Sequence, residues 1–148
     1  MKKKILACSL FAFTCLIGCQ NNNKKEVEIE EQDPVVEHSY KEVSEYKITW
    51  EEIFEVQKKN YYVYFYSDTC SHCIELKNYI IEKALQIKKI YFIAESNQNQ
   101  LSNSIQESIN AEKPENIWIL GYPTLLKIEN KKCSQNIAGN KQIQNELK

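Results

Sequence analysis

Two cysteines with two residues between them, Cys70-Ser71-His72-Cys73, are the part of this chain best equipped for chemistry. The thiolate is the nucleophile in sulfur chemistry, and an unperturbed thiol is only ~3% ionised at pH 7. A pair at this spacing can therefore do redox chemistry only where its surroundings favour the thiolate. A β-branched and aromatic run, Tyr61 to Tyr66, leads in, and the polar Ser67-Asp68-Thr69 breaks it. From Cys70 onward Cys73, Ile74, Leu76, Ile80, Ile81 and Leu85 recur at three- and four-residue spacing. This pattern predicts a strand buried on both faces, then a helix of roughly 16 residues opening at the first cysteine. A helix N-terminus carries unpaired N–H groups and about half a unit of positive charge, which favours a thiolate placed there. Cys70 is the candidate nucleophile at that end, and Cys73, one turn further in, is the less exposed partner. A protonated His72 would add positive charge beside them. Asp68 and Thr69 read equally well as tuning groups or as solvated turn residues.

Other chemistries are poorly served. A zinc site needs about four ligands, and beyond the pair and the N-terminal Cys8, Cys15 and Cys19 there are only Cys133, His72 and His38, so no metal is expected. The chain has 19 lysines, no arginine and 20 acids, for a net charge of −1, with no basic stripe to hold nucleic acid. A redox-inert structural disulfide in a domain that only binds a partner is an alternative left open. Cys133, near a hairpin, reads as a small, half-buried apolar residue, with an exposed thiol that pairs with another chain as the alternative.

The N-terminus reads as an address. Lys2 to Lys4 precede an uncharged run from Ile5 to Ile17, the pattern of a secretory signal. Such a run is too short to cross a hydrocarbon core of about 30 Å. It ends Leu16-Ile17-Gly18-Cys19, which resembles the bacterial lipoprotein box. That resemblance implies cleavage after residue 18 and lipidation of Cys19, leaving 16 lysines against 20 acids. The expected organisation is a signal over 1–18, a flexible tether over 19–44 and one folded domain over 45–148. His38 is expected to be an idle, solvated tether residue.

Within the domain, Thr49-Trp50-Glu51-Glu52 has capping-box spacing and predicts a first helix over about Trp50 to Lys59, after a short edge strand at Glu45 to Ile48. Ile90 to Ala94 predicts a second buried strand, parallel to the first across the helix. Leu101, Ile105 and Ile109 recur every four residues and predict a thin amphipathic helix. Gly121-Tyr122-Pro123-Thr124 leads into Leu125 to Ile128, and Glu129 to Lys132 predicts a hairpin turn into Ser134 to Ile137. Asn140 to Leu147 predicts a terminal helix with Ile143 and Leu147 inward.

This order, with Cys-x-x-Cys opening a helix after a buried strand and Tyr122-Pro123-Thr124 ahead of the hairpin, resembles the thioredoxin-like family over roughly Tyr46 to Lys148. Ala138-Gly139 before the last helix matches the family's closing glycine region. The resemblance implies an α/β single domain, a central mixed sheet flanked by helices. It implies that Cys70 attacks a substrate disulfide and that Cys73 releases the mixed disulfide. It also implies that a cis Pro123 faces the pair, keeping metal away, while Tyr122 lines a groove for an extended substrate. No cofactor beyond the Cys70–Cys73 disulfide is implied. The expected partners are protein thiols or disulfides and a membrane redox protein, on the extracytoplasmic face of a bacterial membrane.

The sequence departs from thioredoxins proper. Tyr64 stands where they bury an aspartate, Thr69 where they carry Trp, Ser71-His72 where they carry Gly-Pro, and Asn78 where they carry a helix proline. Small secreted proteins of the bacteriocin-transport-accessory type look similar. The direction of electron flow is not legible.

Overall fold

The structure is a computed structural model, described over residues 36–148. The signal, the lipoprotein box with Cys19 and most of the expected tether lie outside the described residues.

Six regular elements carry the fold: β1 Asn60–Tyr66, α1 Ser71–Ile87, β2 Ile90–Ala94, β3 Thr124–Glu129, β4 Lys132–Ala138 and α2 Asn140–Glu146. The sheet order is β2-β1-β3-β4. β2 runs parallel to β1, whereas β3 is antiparallel to β1 and β4 to β3. This is the thioredoxin-like α/β arrangement, with a mixed four-stranded sheet in one domain.

β1 lies inside the sheet because it can bury both faces. Tyr61, Val63 and Phe65 join Trp50, Ile53, Ile117, Ile119, Leu126 and Ile128 on one side. Tyr64 and Tyr66 join Leu76, Ile80 and Ile81 of α1 and Ile143 of α2 on the other. Alternation along a strand forces this division. Each fully buried Leu or Ile contributes about 1.5–3 kcal/mol, so the α1 stripe is what holds the helix to the sheet. α1 ends at Lys88, in the left-handed conformation (φ 50°), whose N–H donates to Ala84 O. The hairpin turns through Asn130 and Lys131, both left-handed (φ 52° and 64°), the geometry that matches strand twist.

Three expectations change. The helix over Trp50 to Lys59 is only a 3-10 turn, Glu51–Phe54. The Glu52 carboxylate accepts from Thr49 N–H at 2.7 Å, but the Thr49 side chain caps nothing. The carbonyls that would continue the helix are taken by side chains. Tyr61 Oη donates to Ile53 O, and Lys131 Nζ donates to Phe54 O and Val56 O. The helix over Leu101 to Ile109 is absent as well. Leu101 pairs as an isolated bridge with Ile119, and a 3-10 turn covers Ile105–Ser108. Leu101 and Ile105 stay 60% and 40% exposed. Ser108 goes inside instead, its hydroxyl accepting from Trp118 N–H at 2.7 Å and donating to Trp118 O. The edge strand at Glu45 to Ile48 is a 3-10 turn, Ser44–Tyr46, followed by a single parallel bridge from Lys47 to Phe92.

The boundary expected at residue 45 also moves. Val43 is fully buried, and Tyr40 stacks on Tyr66 with ring centroids 3.9 Å apart. His38 donates its backbone N–H to Asn78 Oδ1 at 2.9 Å and pairs through Nδ1 with Glu42 at 2.8 Å. Residues 37–47 therefore form a strap across α1 and the β2 edge. Tyr40 and Val43 sit singly among polar residues, which disguised the strap as tether.

Candidate active site

β1 delivers the chain to the site and a pinned turn redirects it. Ser67 is buried, and its hydroxyl donates to the Glu95 carboxylate at the end of β2 while lying 3.1 Å from Thr69 Oγ1. Glu95 N–H donates to Tyr66 O at 2.7 Å, and Cys70 N–H donates to Ser67 O. The site thus lies beyond the carboxyl ends of the two parallel strands, where α/β sheets commonly bind ligands.

Cys70 is the N-cap of α1. Its backbone is extended (φ −81°, ψ 119°), and its sulfur accepts from Cys73 N–H at 3.3 Å. An N-cap side chain meets the otherwise unpaired N–H groups of the first turn, and a sulfur does so here in place of the usual oxygen. The Cys70 thiol is half-buried and lies 3.2 Å from Tyr122 O, to which it donates.

That carbonyl belongs to the loop ahead of β3. The Tyr122–Pro123 peptide bond is cis. Thr124 is buried and donates its hydroxyl to Gly121 O at 2.7 Å, and Pro123 O accepts from Gly139 N–H. Gly121 adopts φ 121°, a conformation side chains disfavour, which locates the turn there. Tyr122 is partly buried and packs against both apolar clusters.

Cys73 is 1% exposed, on the inner face of α1. Burial, and then its contact with Cys70, push its thiol up to about 12. The structure therefore brings together Cys70, Cys73, Tyr122, Pro123 and Thr124 from widely separated stretches of chain. It leaves Ser71 and His72 exposed. His72 turns its Nδ1 to Glu75, 3.5 Å away, with both side chains about two-thirds exposed, and it makes no hydrogen bond to Cys70. The imidazole expected to support Cys70 is thus directed along the helix surface. Asp68 and Thr69 are exposed in the turn.

Two residues reach this site unannounced. By sequence Tyr64 reads as core and Tyr40 as tether, yet both place buried hydroxyls on the Cys73 side of the sheet. The phenol itself does not set Tyr64 apart, since Tyr61, Tyr62 and Tyr66 share it; the signal is its position, where the resembling family buries an aspartate. Ile74, next to Cys73, is 57% exposed and gives the site an apolar rim. Cys133 lies elsewhere: on β4, fully buried, its thiol donating to Gln135 O at 3.4 Å and raised to about 12 by burial. Among the described residues no cluster of three His, Cys, Asp or Glu side chains could hold a metal ion, and no helix is long and apolar enough to cross a membrane.

No protein-family model matches the chain, and no curated protein matches it. Solved structures resemble it. Mitochondrial thioredoxin 3 of Saccharomyces cerevisiae, in its oxidised form, is similar at 14% identity and a TM-score of 0.45, over 68% of this chain and 88% of that one. Thioredoxin f2 of Chlamydomonas reinhardtii is similar at 14% identity and a TM-score of 0.43, over the same shares.

Proposed function

We propose that this protein is a thiol–disulfide oxidoreductase acting on protein thiols or disulfides through a Cys70/Cys73 dithiol–disulfide cycle. One observation carries the reading: a half-exposed sulfur caps a helix, 3.2 Å from the carbonyl of Tyr122 beside cis Pro123, with a second thiol buried one turn behind it. Cys70 attacks the substrate disulfide, and Cys73 then attacks Cys70 and releases the substrate. Tyr122 and Pro123 hold the backbone against which an extended substrate lies, and Thr124 fixes that loop. Ser71 and His72 form the exposed rim of the motif. The Cys70–Cys73 disulfide is the only redox group required.

The finer reading is that Cys19 carries a lipid and the domain works at the extracytoplasmic face of a bacterial membrane, exchanging electrons with a membrane redox protein. A dithiol outside the cell needs such a partner to turn over. The alternative is a binding or export-accessory lipoprotein whose Cys70–Cys73 disulfide is structural.

Cys73→Ser, reduced and mixed with disulfide-bonded insulin or a disulfide-containing model peptide, should accumulate mixed disulfides through Cys70, and Cys70→Ser should form none. Equal behaviour of the two variants would overturn the enzymatic reading. Palmitate labelling that survives Cys19→Ser would overturn the anchor.

A further inference from the structure

Tyr64 of β1 and Tyr40 of the strap bring two hydroxyls to the buried resolving thiol. Tyr64 is fully buried in the cluster that holds Cys73, Leu76 and Phe92. Tyr40 closes that cluster from outside, stacked on Tyr66 and edge-on to Phe92 at 6.0 Å. The two hydroxyls adjoin one another, and Tyr64 also adjoins the Cys73 thiol. Both are shut off from solvent, yet neither has a hydrogen-bond partner. An unpaired buried hydroxyl is costly, and phenylalanine would fill the same space without that cost.

We infer that Tyr64 donates a hydrogen bond to the Cys73 thiolate in the resolving step, and that Tyr40 positions the Tyr64 hydroxyl from the strap. This rests on the dithiol cycle proposed above. While Cys73 is a thiol it is a poor hydrogen-bond acceptor and the hydroxyls stand idle. As a thiolate it becomes a charged acceptor, to which bonds are roughly twice as strong. Burial holds both phenols above their ordinary range, so they remain protonated and act as donors rather than bases.

The step balances. The Cys73 thiolate attacks Cys70 sulfur in the mixed disulfide, the Cys70–Cys73 bond forms, and the bond from Cys70 to the substrate sulfur breaks. The electron pair leaves with the substrate thiolate, which takes up the proton that Cys73 lost. The pair is oxidised and the substrate reduced. Among the described residues, the titratable groups around Cys73 are Cys70 on its own helix, Tyr64 and Tyr66 on β1, Tyr40 on the strap and Tyr122 on the cis-proline loop. Of the carboxylates, Asp68 faces Tyr40 and Glu95 faces Tyr122, and neither bears on Cys73 itself.

The test uses the full chain with Cys8, Cys15 and Cys19 changed to serine and Cys133 to alanine, reduced and mixed with one equivalent of the chromogenic dithiobis(nitrobenzoate) reagent. The first coloured thiolate reports attack by Cys70 and the second reports resolution by Cys73. Tyr64→Phe should leave the first phase within about twofold, slow the second about tenfold at pH 7, and shift the pH profile of the second about one unit upward. Tyr40→Phe should slow the second about threefold. A second phase unchanged in rate and pH profile in Tyr64→Phe overturns the inference while leaving the cycle intact. A parent protein with no second phase overturns the cycle, and this inference with it. If Tyr64→Phe loses its first phase and so its fold, Tyr40→Phe decides: slowing supports the inference, and an unchanged second phase overturns it.

Discussion

Two buried thiols occupy opposite faces of one sheet. Cys73 and Cys133 are almost equally inaccessible, and burial pushes each up to about 12. Their neighbours differ. Cys133 sits among Ile117, Ile119 and Ile128, with only a backbone carbonyl for its proton. Cys73 touches a half-exposed sulfur at a helix cap and lies beside two unpaired hydroxyls. Depth alone makes a thiol inert; what gives Cys73 a use is a reachable neighbour that can bring a substrate's sulfur to it.

The largest effect that would sharpen this contrast is on turnover. Cys70→Ser should reduce insulin-reduction activity to background, at least ~1,000-fold, because among the described residues the other two thiols are buried and cannot take over the attack. Cys133→Ala should stay within about twofold of the parent. Comparable losses from both would collapse the distinction.

Alkylation of the folded, reduced protein tests accessibility and ionisation together. A thiol titrating near about 12 is only ~1 part in 100,000 thiolate at pH 7. Iodoacetamide should therefore modify Cys70 at least ~100-fold faster than Cys73 or Cys133, as read by peptide mass mapping. Early label on Cys133 would contradict its inert setting.

Alkaline stability follows from the same raised thiols. Folded Cys73 and Cys133 keep their protons up to about 12, whereas unfolded thiols lose them near about 8.5. Above that lower value the unfolded chain binds fewer protons. The thiols' contribution is thus complete below about pH 8.5 and is lost as pH rises toward about 12, by up to about 1.4 kcal/mol per pH unit per thiol. Denaturant melts between pH 8 and 10.5 should show this fall. It should be shallower in the oxidised protein, where Cys73 no longer titrates, while Cys133 contributes equally in both states.

The smallest effect is expected at the rim. His72 pairs with Glu75 where both are well exposed, and such pairs contribute about 0–1 kcal/mol. His72→Ala should change the Cys70 alkylation rate by less than about threefold. A larger change would mean that His72 acts on Cys70 directly.

Much of this arrangement was legible in the sequence, because local chemistry and tertiary packing agree there. β1 and β2 announce themselves by apolar runs, α1 by its spacing from Cys70, and the cis-proline loop by Tyr122-Pro123-Thr124. The failures fall where a distant partner decides. Trp50 to Lys59 has helix signals, but Tyr61 and Lys131 claim its carbonyls. Leu101 and Ile105 had helical spacing, but the Ser108 hydroxyl satisfies both backbone groups of Trp118 and takes the interior position. Tyr40 reads as tether until Tyr66 is known to lie beneath it. His72 reads as a partner for Cys70 until its ring is seen to face Glu75 instead.

The central claim is that Cys70 and Cys73 form one reversible redox couple. Equilibrating the protein in graded glutathione and dithiothreitol buffers, then trapping free thiols and weighing the products, measures this directly. The account predicts a two-electron transition in which both cysteines change together, with a potential between about −270 and about −120 mV. A disulfide that persists below about −300 mV, as structural bridges do, or a pair that never closes, would contradict it.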